Sequence, residues 1–342
     1  MSVSSTNKSI GRPAPSGFKA TVKALLSRPE LSALLMAIVI VIAFQIWTGG
    51  NFITADNMKV VLPLLPELGI VALGVVILMI AGEFDLSVGS VFALIPMFGH
   101  ILMTRWGLDP VLGLIISLAA GILVGWVNGM ITLKFGIPSF IATLGMFYLA
   151  RSLAVVLVGG FPPPMPEMQF QLDLFVYNFG SFRASLIWYA GIAIILGFVL
   201  HKSNFGNWIF ATGGQRIAAQ DMGINVKRVK MLCFMLCSFL AGFAGTLQTY
   251  RLKSPLPNIG TGLELEAIAA AVIGGALLTG GVGSILGAII GAFLIRAIDN
   301  GLAMSRVNGE WFRAFLGVLL VLAVIINIDI RRRASNMKIT SK

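Results

Sequence analysis

The sequence predicts an all-α polytopic membrane protein of about ten transmembrane helices, and three observations carry that prediction. Of 342 residues, 57% are hydrophobic and only 11% are charged, with a mean hydropathy of +0.92, whereas a soluble domain carries about 25% charged residues. Residues 31–55, 86–104, 111–133 and 267–295 contain no Asp, Glu, Lys or Arg, and ~20 apolar residues are enough for a helix to cross ~30 Å of hydrocarbon. The excess of basic residues, +11 overall, is gathered into a few stretches rather than spread along the chain.

Taken in order, the apolar runs give ten crossings, at 32–49, 59–80, 86–104, 111–133, 138–158, 185–201, 230–251, 263–279, 283–301 and 312–328. The runs 59–104 and 263–301 also admit broken or re-entrant helices, which lowers the count to eight or nine. The domain plan is a 1–30 tail, a 31–330 membrane domain and a basic 331–342 tail. With the N-terminus inside, an even count returns the C-terminus inside. The tails, Lys134 and the 202–229 loop with Lys230 then hold 16 of the 25 basic residues on the cytoplasmic side, the bias that sets membrane orientation. The turn holding Glu83 and Asp85 lies on that side with no basic residue of its own. Residues 159–184, with Pro162, Pro163 and Pro164, form a polar external loop.

Glycine supports a packed bundle rather than a simple anchor. Gly121, Gly125 and Gly129, then Gly283, Gly287 and Gly291, recur every four residues, and small residues at that spacing let helix backbones approach closely in lipid. Cys233 and Cys237 lie four apart on one helix, a geometry that disfavours a disulfide, and read as lipid- or core-facing thiols. His100 and His201 are far apart, so no metal site is expected. Neither nucleic-acid binding nor a cleaved signal peptide is expected: the basic clusters fit a membrane face, and no short apolar run precedes a small-residue cleavage site.

Two polar stretches carry the functional reading. In Gly82-Glu83-Phe84-Asp85-Leu86-Ser87-Val88-Gly89-Ser90, carboxylates sit between two apolar runs, where ionisable groups are costly. Asp85 or Ser87 can cap the helix that follows; Glu83, Asp85 and Ser87 can equally serve a gate or a subunit contact. The second stretch, Gly213 to Val226, predicts a helix over about 215–222, stopped by Gly223. It would show small Ala218 and Ala219 and apolar Met222, which suits docking into a groove on another protein or lying on the lipid surface. No Gly-Lys dipeptide occurs, so the phosphate loop of ATPases is missing and any ATP-derived energy must come from a partner.

These stretches resemble the ribose/xylose/galactoside-type permeases of bacterial ABC importers, which are related to the branched-chain amino-acid permeases. The resemblance runs in order through Gly82–Ser90, Asn128-Gly129, Ile137–Gly145, Ala211–Gly214, Ala218-Ala219, Gly223-Ile224, Glu264–Ala270, Ile273–Gly275, Gly280–Ser284 and Asn300-Gly301, over about residues 50–333. It implies a fold akin to the vitamin B12 importer, no cofactor on this chain, and ATP-Mg on a cytoplasmic ATPase subunit. It also implies a periplasmic sugar-binding protein and a second permease copy or paralogue as partners, alongside membrane lipid. Gly213, Gly214, Gln215, Ala218, Ala219, Met222 and Gly223 would form the ATPase-coupling helix, although Ile217 stands where the broader motif carries Glu. Because the family's sugars are neutral, Asn128, Ser139, Thr143 and Asn300 are candidates for the translocation pathway, or else for helix-to-helix hydrogen bonds. Arg151 is expected to snorkel or to pair internally. The rivals are a permease for branched-chain amino acids or a sugar-derived signal, an ion-coupled transporter using Glu83, Asp85, Glu264 or Glu266, and a membrane-embedded enzyme, for which no catalytic constellation is found.

Overall fold

Inside hydrocarbon each backbone N–H and C=O must be satisfied within its own segment, which makes helices of the apolar runs. A computed structural model describes residues 29–180 and 182–339; nearly all of the N-terminal tail and the last three residues of the C-terminal tail lie outside them. The helices are α1 (Pro29–Trp47), α2 (Ala55–Val61), α3 (Leu65–Ile80), α4 (Val88–Thr104), α5 (Pro110–Phe135), α6 (Ser139–Leu157), α7 (Gln169–Val176) and α8 (Ala184–Lys202). They continue with α9 (Asn204–Gly214), α10 (Arg216–Asp221), α11 (Val226–Leu252), α12 (Leu263–Ile273), α13 (Ile285–Met304) and α14 (Glu310–Ile339). The chain is an all-α multi-pass membrane protein: among the described residues six helices, counting 55–80 as one, are long and apolar enough to cross a bilayer.

Burial separates an inner set from an outer one. The apolar windows of 55–80 and α11 are 78% and 72% buried, against 28%, 22% and 33% for α5, α6 and α8. Helices α3, α4 and α11 therefore form the centre, while α5, α6 and α8 leave most of their surface uncovered. Cys233 and Cys237 are free thiols of that core. Helix α5 crosses α11 at Gly125, where any Cβ would run into the carbonyl of Phe234; this is the close approach that the glycine spacing forecast.

Three expectations change. The span expected at 263–279 is instead the 11-residue α12, which rises only ~16 Å, half the hydrocarbon thickness. It is followed by a turn with Gly275, Gly280 and Gly281 in the left-handed region, whose hairpin of backbone reverses direction before α13. The 59–80 run starts earlier, at Ala55, and changes helix type at Leu62–Leu64 because Pro63 and Pro66 withhold N–H donors. The 159–184 stretch is more than a loop: α7 and the two-residue strands β1 (Asn178–Phe179) and β2 (Phe182–Arg183) form within it. Phe175 there packs against Trp188, Phe243 and Tyr250, an aromatic contact across the chain that composition does not reveal.

Candidate functional site at the 82–87 turn and the 216–221 helix

Helix α3 ends at Ile80, Ala81 caps it, and Gly82 turns the chain with φ +82. The turn that follows is held by three neighbouring helices, α5, α6 and α11. Glu83 Oε1 pairs with Lys230 Nζ of α11 at 2.6 Å. Asp85 is 1% exposed and accepts from the Ser87 N–H at 2.8 Å, from the Ser87 hydroxyl, from Asn128 Nδ2 of α5 at 3.3 Å and from Ser238 Oγ of α11 at 3.3 Å. Asn128 also donates to Ser87 Oγ at 2.9 Å. From α6, Ser139 Oγ and Thr143 Oγ1 accept the N–H groups of Phe84 and Leu86 at 3.2 and 3.0 Å.

This geometry corrects the capping expectation. Ser87 occupies the cap position of α4 without a side-chain cap bond, and Asp85 takes the N–H of Ser87 itself. Their work is lateral: they tie the turn to α5 and α11. The expected turn without a basic residue also has one, supplied by Lys230 from 147 positions away. Three of the four pathway residues, Asn128, Ser139 and Thr143, are buried in this network, where they bond to the turn rather than to another helix. Asn300 lies apart on α13, half-buried, with its Oδ1 unpartnered.

Removing Lys230 would strand the Glu83 carboxylate, since the two side chains are 7% and 14% exposed. Breaking a buried pair from one side costs about 3–5 kcal/mol. Lys230→Met is therefore expected to lower the thermal unfolding midpoint of the purified protein, and Glu83→Met added to it should recover most of the loss. A double variant as unstable as the single one would show that the pair itself is not the source.

The second part of the site begins where α9 ends. Gly213 and Gly214 lie against two other backbones at once. A Cβ on Gly213 would strike the carbonyl of Ile80, which already accepts the N–H of Gly281 at 2.8 Å. A Cβ on Gly281 would fall 2.5 Å from Gly214 Cα, and one on Gly280 2.8 Å from Gly82 Cα. Five glycines thus bring the end of α3, the end of α9 and the turn before α13 to backbone contact.

Directly beyond this junction stands α10. The helix expected over about 215–222 is present as Arg216–Asp221, with Gly223 at φ +84. Gly223 N–H bonds to Gln220 O and Ile224 N–H to Ala219 O, the paired closure that a left-handed glycine permits. Gln215, Ala218, Met222 and Gly223 are exposed, with Ile217 at 74% and Met222 at 83%. Ala219 departs from expectation: it is 3% exposed and seats the helix instead of presenting a surface.

Arg151 pairs internally, donating to the carbonyls of Gly89, Pro257 and Ile259 at 2.8, 3.1 and 2.8 Å. Glu266 meets Arg296 at 3.1 Å. Sequence reasoning did not single out Lys230, Ser238, Gly280 or Gly281 for a shared site. A faint signal existed in Lys230 and Ser238, two polar positions eight apart on one face of α11 with only apolar residues between them.

The family of permease components of the branched-chain amino acid transport system matches residues 57–324. The chain belongs to this permease family. It is 34% identical over 300 residues to the ribose import permease protein RbsC of Escherichia coli, covering 86% of this chain and 92% of the relative. It is 30% identical over 321 residues to the xylose/arabinose import permease protein XylH of Sulfolobus acidocaldarius, covering 92% and 89%. The fructose import permease protein FrcC of Rhizobium meliloti is 28% identical over 318 residues, covering 91% and 88%. No solved structure matches.

Proposed function

We propose that this chain is the permease subunit of an ATP-binding cassette importer that carries a monosaccharide or related polyol across the bacterial inner membrane. The sugar-import names of its relatives favour sugar over branched-chain amino acids. The observation that carries the mechanism is α10: a short helix outside the apolar spans, with Ile217 and Met222 uncovered, rooted in the glycine junction. Uncovered apolar side chains on a polar surface mark an interaction site. A separate ATPase subunit, holding ATP-Mg, docks on this helix; a periplasmic sugar-binding protein delivers cargo at the opposite end. A second permease copy or paralogue completes the pathway.

Coupling then follows a physical route. Movement of α10 reaches the ends of α3 and α13 through backbone contact at Gly213, Gly280 and Gly82, which have no side chains to absorb it. The Glu83–Lys230 pair and the Asp85 network bind the same turn to α5, α6 and α11, so the turn moves with those helices as a unit. Glu83, Asp85 and Ser87 are in this reading a gate support, and Asn300, with its free carbonyl oxygen, is the one pathway candidate not committed to the turn. In the same reading both termini are cytoplasmic, and the ten apolar runs adopt the vitamin B12 importer arrangement with α12 as a half-crossing.

The ion-coupled alternative loses support at three of its four carboxylates, because Glu83 and Glu266 are paired with Lys230 and Arg296 and Asp85 is saturated by hydroxyl, amide and backbone donors; Glu264 keeps a buried oxygen, Oε2, without a hydrogen-bond partner among the described residues. Reconstitution of the permease with its ATPase and binding protein in liposomes tests the proposal. Uptake of ribose, xylose or fructose is expected to need internal ATP and to vanish without the ATPase. Uptake by the permease alone, driven by a proton or sodium gradient, would overturn it.

A further inference from the structure

Beside the close crossing at Gly125, helices α5 and α11 enclose an open groove of about 570 Å³. Its walls are apolar, with Trp126 and Met130 one turn apart on α5 and Met231 on α11. At the end of the groove nearest α10 stand three cations: Lys134, Lys227 and Arg228. All three are exposed, and among the described residues none is in a salt bridge. No carboxylate lines the groove.

This arrangement is electrostatically incomplete. Lys227 and Arg228 occupy the first turn of α11, which has no acidic residue, so two positive side chains sit on the positive end of a helix dipole. Lys134, in the last turn of α5, is brought to the same place. A negative group between them would offset all three charges and the helix terminus together. The apolar wall leading away from them along the span fits a chain of methylenes, and basic pockets between membrane helices suit lipid headgroups.

We propose that this groove binds an anionic membrane phospholipid, with its phosphate between Lys134, Lys227 and Arg228 and an acyl chain lying along Trp126, Met130 and Met231. The site has a consequence for transport. Arg228 and Leu232 also line an adjoining groove of about 410 Å³ that includes Met222 and Gly223, so a bound headgroup steadies the segment that carries α10.

The full-length permease, purified in mild detergent, can be examined by native mass spectrometry with added phosphatidylglycerol, phosphatidylcholine or soluble glycerol phosphate. Phosphatidylglycerol is expected to bind about tenfold or more tightly than phosphatidylcholine, as interfacial cations attract anionic headgroups, and glycerol phosphate should not displace it. The triple variant Lys134→Gln, Lys227→Gln, Arg228→Gln should lose that preference, while Lys134→Arg with Lys227→Arg should keep it. Where the triple variant fails to insert, Lys227→Gln alone carries the test, with the preference expected to fall by roughly two- to fivefold. Equal retention of phosphatidylglycerol by the neutralised variants would overturn the site. Displacement by glycerol phosphate would overturn the lipid assignment in favour of a free phosphate site.

Discussion

Gly213→Ala is expected to cut ATP-driven uptake by about tenfold or more, while Gly214→Ala leaves it within about twofold. The contrast between neighbours makes this a strong test. The new methyl at 213 strikes the Ile80 carbonyl, a backbone atom already engaged by Gly281 N–H. Backbone cannot swing aside as a side chain can, and overpacking of this kind costs about 1–3 kcal/mol. At 214 the methyl would sit 3.8 Å from Gly281 Cα, an ordinary contact. Uptake assays on both variants, at matched amounts of inserted protein, read the difference. Wild-type uptake by Gly213→Ala would mean that the glycine junction has no part in transport.

Ala218→Glu is expected to abolish uptake and the stimulation of the partner's ATPase, with the isolated permease as stable as before. Ala218 is exposed, so the permease itself gains only a solvated charge. In the docked complex the same carboxylate would be buried without a partner, a penalty of about 3–5 kcal/mol, which corresponds to roughly two to three and a half orders of magnitude in docking affinity. Gly223→Asp should act in the same direction, because the left-handed backbone at 223 is strained for a residue with a Cβ. Ala219→Leu is the contrasting case: its 3% exposure means that the larger side chain unseats α10 and lowers stability as well. Measured binding of the ATPase subunit by each variant, with unfolding midpoints alongside, separates docking from seating. Wild-type uptake by Ala218→Glu would remove α10 from the coupling role.

Much of this was legible in the sequence because the signals are local. Most charge-free runs become helices because lipid offers their backbone no other partner; the 267–295 run is the exception, broken by a glycine turn between α12 and α13. The stop at Gly223 and the close crossing at Gly125 each follow from the lack of one Cβ. The 82–90 and 213–224 stretches stood out as polar interruptions, and both lie in the site described above.

What the sequence determined by itself is therefore the class: an all-helical polytopic membrane protein of a recognisable permease family, with no phosphate loop of its own. Only the tertiary structure decided that Lys230 answers Glu83, that Asn128, Ser139 and Thr143 grip a turn, and that α12 stops after 11 residues. It also decided that Ala219 points inward while Ala218 does not. The physical reason is range. Helix formation in hydrocarbon is settled within each segment, whereas an ion pair or a glycine junction joins residues whose separation along the chain carries no periodic mark.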